Sequence, residues 1–550
     1  MYYKDICKVL GYYLFGLSAT LLIPFALAAY YEFFSDPAAH PQPHSTLAFF
    51  LTIIIAILYA SVFYLIGRRS EGNLYRREGL VVVVLIWFLT PAIAGLPFFL
   101  SGTLEDYLHS YFEAASGFTT TGATVMQAKK YNPQTGREIP IRKEFCGART
   151  IIYYYWGTIT PVKDQETGAT LYEGIEAVGK ALLFWRSFTQ WLGGMGIVVL
   201  FVAVLPALGV GGKVLFQAEL PGPMKDSLTP RIKEAALQLW KIYLGLSLLE
   251  VFLLVITNRE VTVFDALTIT FSTLSTGGFT AKNNSIGHFN NIYTESIVMI
   301  FMIVASVNFS LYFFSLKGKF YRLYEPEFFL FLCIVVLICT FAAFFLVGTS
   351  KMSITGEYGS RFSLGEAIRY GAFQIVSALT TTGFATTNYE GWPYEIQVLM
   401  LIVMFIGGMS ASTAGGMKVV RLYILFRIVQ HKIELFFRPE TVRRFKLGDR
   451  EVDERASILV LCFFVLVVTI AAFATLFFVI DGMGPETSLS VTTLMMNNVG
   501  IGFRMAAPTE SFAFLSSFGL IFSSLLMVFG RLEFLVVLAT MIPAFWKQSR

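Results

Sequence analysis

Ten stretches of this sequence are long enough and apolar enough to cross a lipid bilayer as helices. A bilayer core of about 30 Å requires roughly 20 apolar residues in each helical crossing. The composition agrees, because 55% of the 550 residues are hydrophobic and only 14% are charged, too few to cover a soluble particle of this size. The expected crossings are residues 8–33, 46–67, 79–100, 180–205, 236–257, 293–316, 327–348, 395–426, 456–480 and 512–545. The first stretch is too long for a cleaved signal peptide, so we expect it to remain as a helix.

The positions of lysine and arginine predict how these crossings are oriented. Basic residues concentrate in alternate connections, at residues 68–77, 213–233, 317–322 and 427–455, and basic loops stay on the cytoplasmic side of a membrane. Both termini are therefore expected in the cytoplasm. The connection at 127–179 is also basic although it falls on the outer side, but it carries carboxylates as well, and long loops follow the rule weakly.

Four outer connections share a half-length helical segment followed by a turn rich in threonine and glycine. The pattern recurs once per pair of crossings, which is an internal repeat of helix, half-helix, glycine turn and helix. Non-helical backbone at membrane depth must be buried in protein or line a water-filled path, because lipid cannot satisfy its amides and carbonyls. Four such turns on one side of the membrane predict a ring around a shared path. The turns are residues 119–124, 275–280, 380–385 and 497–502.

The chemistry of these turns is that of a cation filter. Glycine lets successive carbonyl oxygens point the same way, and carbonyl oxygens around an axis can replace the hydration shell of an alkali cation. A single cluster of this kind is more typical of a surface turn, but four at equivalent places indicate a filter. The expected filter residues are Thr120, Thr121, Gly122, Ala123, Thr276, Gly277, Gly278, Phe279, Thr381, Thr382, Gly383, Phe384, Asn498, Val499, Gly500 and Ile501.

Together with five flanking motifs, these turns resemble the TrkH/KtrB family of bacterial potassium uptake subunits. The resemblance implies an all-α membrane protein of ten transmembrane helices. Four helix–pore loop–helix repeats would surround one pore, and two extra helices would precede them. The motifs are FWRS at 184–187, QWLGGMG at 190–196, LTPR at 228–231, STAGGMK at 412–418 and GRLE at 530–533.

The same resemblance implies how the chain is divided. Two features depart from the family pattern: an outer insertion at 127–179 is unusually long, and the fourth turn reads Asn-Val-Gly-Ile-Gly where a proline is common after the first glycine. The implied divisions are an N-terminal helix pair at 1–77 and four repeats at 78–212, 213–322, 323–450 and 451–550.

Potassium uptake across the bacterial cytoplasmic (inner) membrane is the function that the resemblance implies. Potassium would be the transported substrate at the filter, with no cofactor in the chain and no enzymatic activity. The implied partners are the lipid bilayer, a second copy of the chain in a homodimer, and a cytoplasmic TrkA-type nucleotide-binding subunit. The chain has no Walker motif or dinucleotide fingerprint of its own. A net charge of +5 in scattered clusters does not favour nucleic acid as a partner.

Two other functions remain open from the residues alone. A sodium-selective or sodium-coupled member of the same superfamily would share the architecture, since carbonyl cages favour either ion depending on size and flexibility. In plant relatives of the family, serine at the first filter glycine accompanies sodium selectivity, so glycine in all four turns favours potassium. The distant alternative is an intramembrane enzyme, but no histidine lies within a predicted crossing and Asp481 sits at a helix end.

The eighth predicted crossing is interrupted by residues 407–416, four of which are glycine. Glycine costs a helix about 1 kcal/mol per residue relative to alanine, so this segment is expected to break the helix. The resemblance implies an intramembrane loop beneath the filter that acts as a gate, and close helix packing by small residues is the alternative. The expected gate residues are Gly407, Gly408, Ser410, Ser412, Thr413, Gly415 and Gly416.

Arg531 lies in the middle of the last apolar stretch. A charge at that depth is costly unless it faces a cavity or a partner. The resemblance implies that Arg531 projects into the pore below the filter as a barrier to resting cations. The alternative is a structural contact, either with Glu533 or with carbonyls of the loop.

Other charged residues have two interpretations each. Carboxylates near the turns would concentrate cations at an outer mouth or cap the half-helices. Basic residues after the gate segment would set topology or dock a cytoplasmic regulator. The carboxylates are Glu113, Asp265, Glu366 and Glu486, and the basic residues are Lys418, Arg421 and Arg427.

Overall fold

The computed structural model of the chain describes residues 3–35, 44–70, 76–146, 150–164, 167–199, 232–352, 358–438, 446–447, 450–451 and 454–547. Most of these residues are helical. The first helix, α1 (Tyr3–Thr20), is followed after one residue by α2 (Leu22–Phe33), and α3 (Thr46–Gly67) returns along α1. Glycine permits the close approach of α1 and α3, because a Cβ on Gly67 would lie only 2.4 Å from the Lys8 amide nitrogen.

The helices around the first two turns follow one order: a long helix, a half-helix that leads into the turn, and a second helix after it. The first set is α4 (Arg76–Ala94) with its continuation α5 (Leu96–Leu100), the half-helix α6 (Tyr107–Phe118) and α7 (Lys180–Val199). The second set is α8 (Ile232–Thr257), the half-helix α9 (Val263–Leu274), α10 (Ile292–Ala305) and α11 (Phe309–Leu316).

The helices around the third and fourth turns repeat this order. The third set is α12 (Pro326–Leu346), the half-helix α13 (Leu364–Leu379), α14 (Tyr394–Ile406) and α15 (Val419–Phe437). The fourth set is α16 (Glu454–Ile480), the half-helix α17 (Pro485–Asn497), α18 (Ser517–Arg531) and α19 (Leu535–Met541), followed by the short α20 (Pro543–Trp546).

Two of the expected crossings are sharply bent. Helices α10 and α11 meet at 92°, and α18 and α19 meet at 115°. At the first bend, the Asn308 side chain caps α11 by accepting a hydrogen bond from the Ser310 amide at 2.8 Å. At the second, Glu533 and Phe534 have left-handed φ angles of 57° and 50°. The sequence did not predict either bend, since no glycine or proline stands at the break.

Six helical segments among the described residues are long and apolar enough to cross a membrane, or eight if each bent pair is one crossing. The break after Ile406 leaves α14 with 13 residues, shorter than a crossing. The expected number of ten crossings therefore stays a prediction. The six segments are Tyr3–Phe33, Thr46–Gly67, Arg77–Leu100, Ala236–Thr257, Pro326–Leu346 and Ser457–Ile480.

The burial pattern is that of a protein surrounded by lipid. Long helices carry exposed apolar side chains, such as Val336, Leu337 and Phe344 on α12, whereas the half-helices are largely buried and contain many hydroxyl side chains. In α17, ten of the 13 residues are buried. The centre of the molecule is thus more polar than its periphery, as expected where polar groups line an internal path.

The description of the chain as all-α is incomplete, because short antiparallel hairpins occur in its connections. Three lie in the insertion at 127–179, where alternating burial and many Tyr and Ile residues suit a strand. The pairs are β1 (Lys130–Tyr131) with β2 (Glu138–Ile139), β3 (Ile141–Cys146) with β4 (Thr150–Tyr155), β5 (Val162–Lys163) with β6 (Thr170–Tyr172), β7 (Ser350–Met352) with β8 (Tyr358–Arg361), and β9 (Lys446–Leu447) with β10 (Arg450–Glu451).

Candidate cation pathway

The four turns share an unusual backbone conformation. In the first three turns the second residue after the half-helix is a buried non-glycine residue with a left-handed φ, and in the fourth turn the first residue after the half-helix is. Glycines 122, 278 and 383 are also left-handed, with φ of 83°, 79° and 84°, whereas φ of Gly500 lies outside that region. The non-glycine residues and their φ angles are Thr120 at 55°, Thr276 at 54°, Thr381 at 58° and Asn498 at 54°.

The turns contact one another in sequence order, and the fourth closes on the first. The contacts are so close that a Cβ at any of the four glycines would strike the backbone of the neighbouring turn. Such a Cβ would lie 2.0 Å from Gly277 O if built on Gly122, 2.1 Å from Thr382 O on Gly278, 2.8 Å from Gly500 N on Gly383, and 2.8 Å from Gly122 O on Gly500. The predicted filter residues are therefore brought together as a closed ring.

Side chains behind the ring fix the second and third turns. Gln190 of α7 donates from Nε2 to Gly277 O at 2.7 Å and accepts from the Phe279 amide at 3.2 Å. Gln374 of α13 donates to Phe384 O at 3.0 Å. The carbonyls of Gly277 and Phe384 are thus engaged with protein, although both residues were expected in the filter. Neither glutamine was predicted to brace the ring, although an amide side chain within an apolar helical stretch is a usable sequence signal.

A buried ion pair connects the first and second turns. Arg186 donates from Nε to Glu113 Oε1 at 2.6 Å and from Nη1 to Thr280 O at 3.0 Å, and its guanidinium carbon lies 3.5 Å from the centre of the Phe279 ring. Glu113 also accepts from the Val125 amide at 3.0 Å. Glu113 therefore supports the backbone of the first turn and does not stand free at an outer mouth.

The other carboxylates near the turns also have protein partners. Thr262 caps α9 and donates to Asp265, and Glu486 pairs with Arg504 at 2.6 Å. Glu366 forms a capping box with Ser363. The Ser363 amide, followed by the Lys351 ammonium, lowers the pKa of Glu366. These contacts favour the capping and pairing interpretation over cation concentration.

The predicted gate segment breaks the helix as expected. Helix α14 ends at Ile406, α15 begins at Val419, and the loop between them starts and ends with left-handed residues, Gly407 and Lys418, each with φ of 73°. The loop folds back on itself: a Cβ on Gly407 would lie 2.1 Å from Gly415 O, and one on Gly416 would lie 2.9 Å from Gly407 Cα. Small residues are thus required for close packing within the loop itself.

The loop at 407–418 lies against the ring on the side of the half-helices. Thr413 donates from Oγ1 to Leu274 O at 2.9 Å, at the end of α9. The Gly415 amide donates to Thr381 Oγ1 at 2.7 Å, and a Cβ on Gly415 would lie 2.2 Å from Asn497 O. The loop therefore touches the second, third and fourth half-helix ends or turns at once.

The remaining gate residues fasten the loop from other sides. Ser412 donates to Met409 O at 2.5 Å, and a Cβ on Gly408 would lie 3.0 Å from Ser306 O at the bend between α10 and α11. Ser410 contacts Glu327 of α12 through both its amide and its hydroxyl. Glu327 begins the expected crossing at 327–348, and no role was predicted for it.

Arg531 is 3% exposed and donates from Nη1 to Thr413 O at 2.7 Å. Its Nε and Nη2 are buried and form no hydrogen bond among the described residues. Glu533 pairs with Arg421 and not with Arg531. Of the two structural alternatives for Arg531, the contact with a loop carbonyl is observed, and the pair with Glu533 is wrong.

The basic residues after the loop make different contacts. Arg421 lies in the buried pair with Glu533 and over the Phe463 ring, whereas Arg427 contacts Tyr423 on its own helix.

The family model described as "TrkH: Cation transport protein" matches residues 162–548 of the chain. The chain belongs to the TrkH family. The predicted resemblance is thereby confirmed, and with its membrane-length apolar helices this TrkH-family chain is an integral membrane protein.

Curated relatives match this TrkH-family chain over its whole length. It is 31% identical to the "Trk system potassium uptake protein TrkH" of Salmonella typhimurium and 31% identical to that of Escherichia coli K12, in each case over 100% of both chains. The crystal structure of the potassium transporter TrkH from Vibrio parahaemolyticus matches with a TM-score of 0.79 at 29% identity, again over 100% of both chains. The fold of the present chain is thus the helical fold of that solved structure.

Proposed function

We propose that this chain takes up potassium ions across the bacterial cytoplasmic membrane through the ring of four turns. The observation that carries the proposal is the closed set of backbone contacts from each turn glycine to the next turn. The relatives with full-length similarity are named potassium uptake proteins, which supports potassium as the substrate. The chain acts as a transporter and not as an enzyme, without a cofactor of its own.

In this proposal the expected filter residues surround one pore formed by four repeats and ten crossings, with both termini in the cytoplasm. A partly dehydrated potassium ion would exchange water for backbone oxygens of the ring. The loop at 407–418 is the gate, since it touches three half-helix ends or turns together. The guanidinium of Arg531, with two nitrogens free of hydrogen bonds among the described residues, supplies a positive barrier below the ring.

The partners belong to the same proposal. The relatives are named as parts of a Trk system, which supports association with other subunits. We propose a homodimer that binds a cytoplasmic TrkA-type nucleotide-binding subunit. Of the basic residues after the gate, Arg427 is exposed and belongs to the candidate docking surface, whereas Lys418 and Arg421 are buried.

The test is growth of cells that lack their own potassium uptake systems at limiting potassium, with the partner subunit supplied. We expect the intact chain to rescue growth and to carry rubidium in preference to sodium. Gly383→Ser should abolish rescue or shift uptake toward sodium, because its Cβ would meet Gly500 N at 2.8 Å and φ at this position is 84°.

The matched control is Gly365→Ser, the same change in the first turn of the same half-helix, where no atom lies within 4 Å of the added Cβ. It should behave as the intact chain does. Failure of the intact chain to rescue would refute potassium uptake, and preferential sodium uptake by the intact chain would support the sodium-selective alternative instead.

A further inference from the structure

A buried carboxylate outside the ring holds the gate loop. Glu327, in the first turn of α12, is 2% exposed. Its Oε1 accepts hydrogen bonds from the Ser410 amide at 2.8 Å and from the Ser410 hydroxyl at 3.1 Å. Its Oε2 is also buried and has no hydrogen-bond partner among the described residues.

Burial of this carboxylate has a cost that its surroundings only partly offset. The helix N-terminus favours a negative charge, and two donors reach one oxygen, but the second oxygen is left without a hydrogen bond. An acidic side chain buried at a membrane crossing is expensive and usually functional. Helix capping does not explain its position, because Oε1 of Glu327 accepts from Ser410 of the loop and Oε2 accepts from no amide of α12 among the described residues.

The contacts of the loop divide it into two halves. The half at 409–411 is fastened to the surrounding helices: the Met409 amide donates to Ser306 O at 2.9 Å, and Ala411 O accepts from the Phe309 amide at 3.2 Å. The half at 413–415 contacts the ring and Arg531, and Thr413 also donates from its amide and its hydroxyl to Ala305 O at the end of α10, at 3.3 and 3.0 Å. Glu327 is the carboxylate that contacts the first half. Gly407 and Gly416, both with left-handed φ angles, allow the backbone at each end of the loop to change its dihedral angles.

We propose that Glu327 is a positioning residue for the gate. The two hydrogen bonds that its carboxylate accepts from Ser410 hold the loop across the ion path. Within the described part of the chain, loss of these bonds leaves the first half of the loop held only by its backbone hydrogen bonds to Ser306 and Phe309, and the loop then leaves the path more often. The inference rests on the proposed function, because it requires that the loop controls ion flow. Loss of the Glu327 contacts leaves the ring itself unchanged.

The test is rubidium and sodium flux into liposomes that contain the full-length chain. Hydrogen bonds to a charged group contribute enough that their loss should raise rubidium flux of Glu327→Ala by at least about tenfold, with an unchanged ratio of rubidium to sodium flux. Glu327→Gln should stay near the intact chain, because its amide oxygen still accepts from Ser410. Glu395→Ala is the matched control, since Glu395 is an exposed acidic residue in the first turn of α14.

The possible failures are distinguishable. No flux from the intact chain above that of empty liposomes would refute the proposed function. Flux from Glu327→Ala equal to or below that of a functional intact chain, or a changed ion ratio, would overturn the role of Glu327. If Glu327→Ala does not reach the membrane, Ser410→Ala decides, because it removes one donor and keeps the carboxylate: a rise of roughly threefold supports the inference, and no rise overturns it.

Discussion

Four residues that are not glycine take left-handed backbone conformations beside the ring: Thr120, Thr276, Thr381 and Asn498. Each such conformation costs about 1–3 kcal/mol and persists only where the surroundings determine it. At two of these residues, a side-chain hydrogen bond to another element helps to hold the conformation. Thr381 Oγ1 accepts from the Gly415 amide, and Asn498 donates to Thr121 Oγ1 at 3.0 Å. The turn conformation therefore depends on contacts from other elements as well as on glycine.

Gln190 provides a test of that dependence. We expect Gln190→Leu to weaken the discrimination between rubidium and sodium by about tenfold, because Gly277 O would become a buried acceptor without its donor, at a cost of about 1–3 kcal/mol. Flux ratios in liposomes measure the effect. A control is Gln397→Leu, which removes hydrogen bonds to Glu390 O and Trp392 O outside the ring. Equal loss of discrimination in both variants would contradict a specific role for Gln190.

Local sequence signals account for what was predicted of this site. Threonine and glycine mark the four turns, and four glycines in ten residues mark the loop. Glycine permits left-handed φ angles and weakens a helix, and both of these effects act at the position of the glycine itself. Gln190 and Glu327 were missed because their roles depend on partners 87 and 83 residues away. Hydropathy alone does not reveal such partners. The same reason applies to the donor of Gly277 O, whereas Gln374, which donates to Phe384 O, is only ten residues away and was missed although it is local.

At the scale of elements, the breaks in the helices have three different causes. Glycine breaks the helix between α14 and α15, and this break was predicted. The bend before α11 follows from a capping asparagine, and the bend after α18 comes where Arg531 contacts the loop and Glu533 pairs with Arg421. Neither bend carries glycine or proline, so an apolar run read by hydropathy appears continuous. A local cap marks the first of these positions, whereas tertiary contacts mark the second.

The hairpin β3–β4 is an element whose removal is informative. It packs on the fourth set of helices: the Gly484 amide donates to Tyr153 Oη at 2.8 Å, Lys143 pairs with Glu510 at 2.6 Å, and the rings of Tyr153 and Phe514 lie 5.9 Å apart. Since Ile141 pairs directly with Tyr155, residues 142–154 can be replaced by a short Gly-Ser turn.

We expect this replacement to lower the apparent melting temperature in detergent and to leave the ratio of rubidium to sodium flux unchanged. The physical reason is that the replacement removes contacts between the insertion at 127–179 and the fourth set of helices, whereas it leaves the contacts within the ring in place. Shortening the β1–β2 connection at 133–136, where Gly136 has open space around its Cβ position, is the control. An altered ion ratio in the hairpin variant would show that the hairpin acts on the filter.

At the scale of the whole molecule, polar contacts link each set of helices to the next around the ring. They supplement the backbone contacts of the turns, and each has at least one end in a turn, a half-helix or a connection next to one. The links are Arg186 to Thr280 O at 3.0 Å, Arg369 to Glu295 at 2.6 Å, Arg504 to Glu390 at 3.1 Å, and the Phe512 amide to Thr124 O at 2.7 Å.

The link between Arg369 and Glu295 should contribute measurably to stability. Two of the three guanidinium nitrogens of Arg369, Nε and Nη2, donate to Glu295 at 2.7 and 2.6 Å. The Glu295 side chain is only 4% exposed. Arg369→Leu should destabilise the protein by about 3 kcal/mol, because it leaves a buried carboxylate unpaired. Thermal melting in detergent measures this loss, and Arg427→Leu, on an exposed helix face, is the control.

The double variant with Glu295→Leu should lose less than the sum of the single losses, since the two residues act as a pair. Strict additivity of the two changes would show that no coupling exists across this boundary.

Because all four turns belong to one polypeptide, a single codon change alters one quadrant of the ring, the proposed ion path, and leaves three untouched. A pore assembled from four identical subunits has no such freedom, since every substitution there appears four times. The departure of Gly500 from the dihedral angles of its three counterparts already breaks the fourfold equivalence. Ion preference in this architecture can therefore be adjusted in small increments, one quarter at a time.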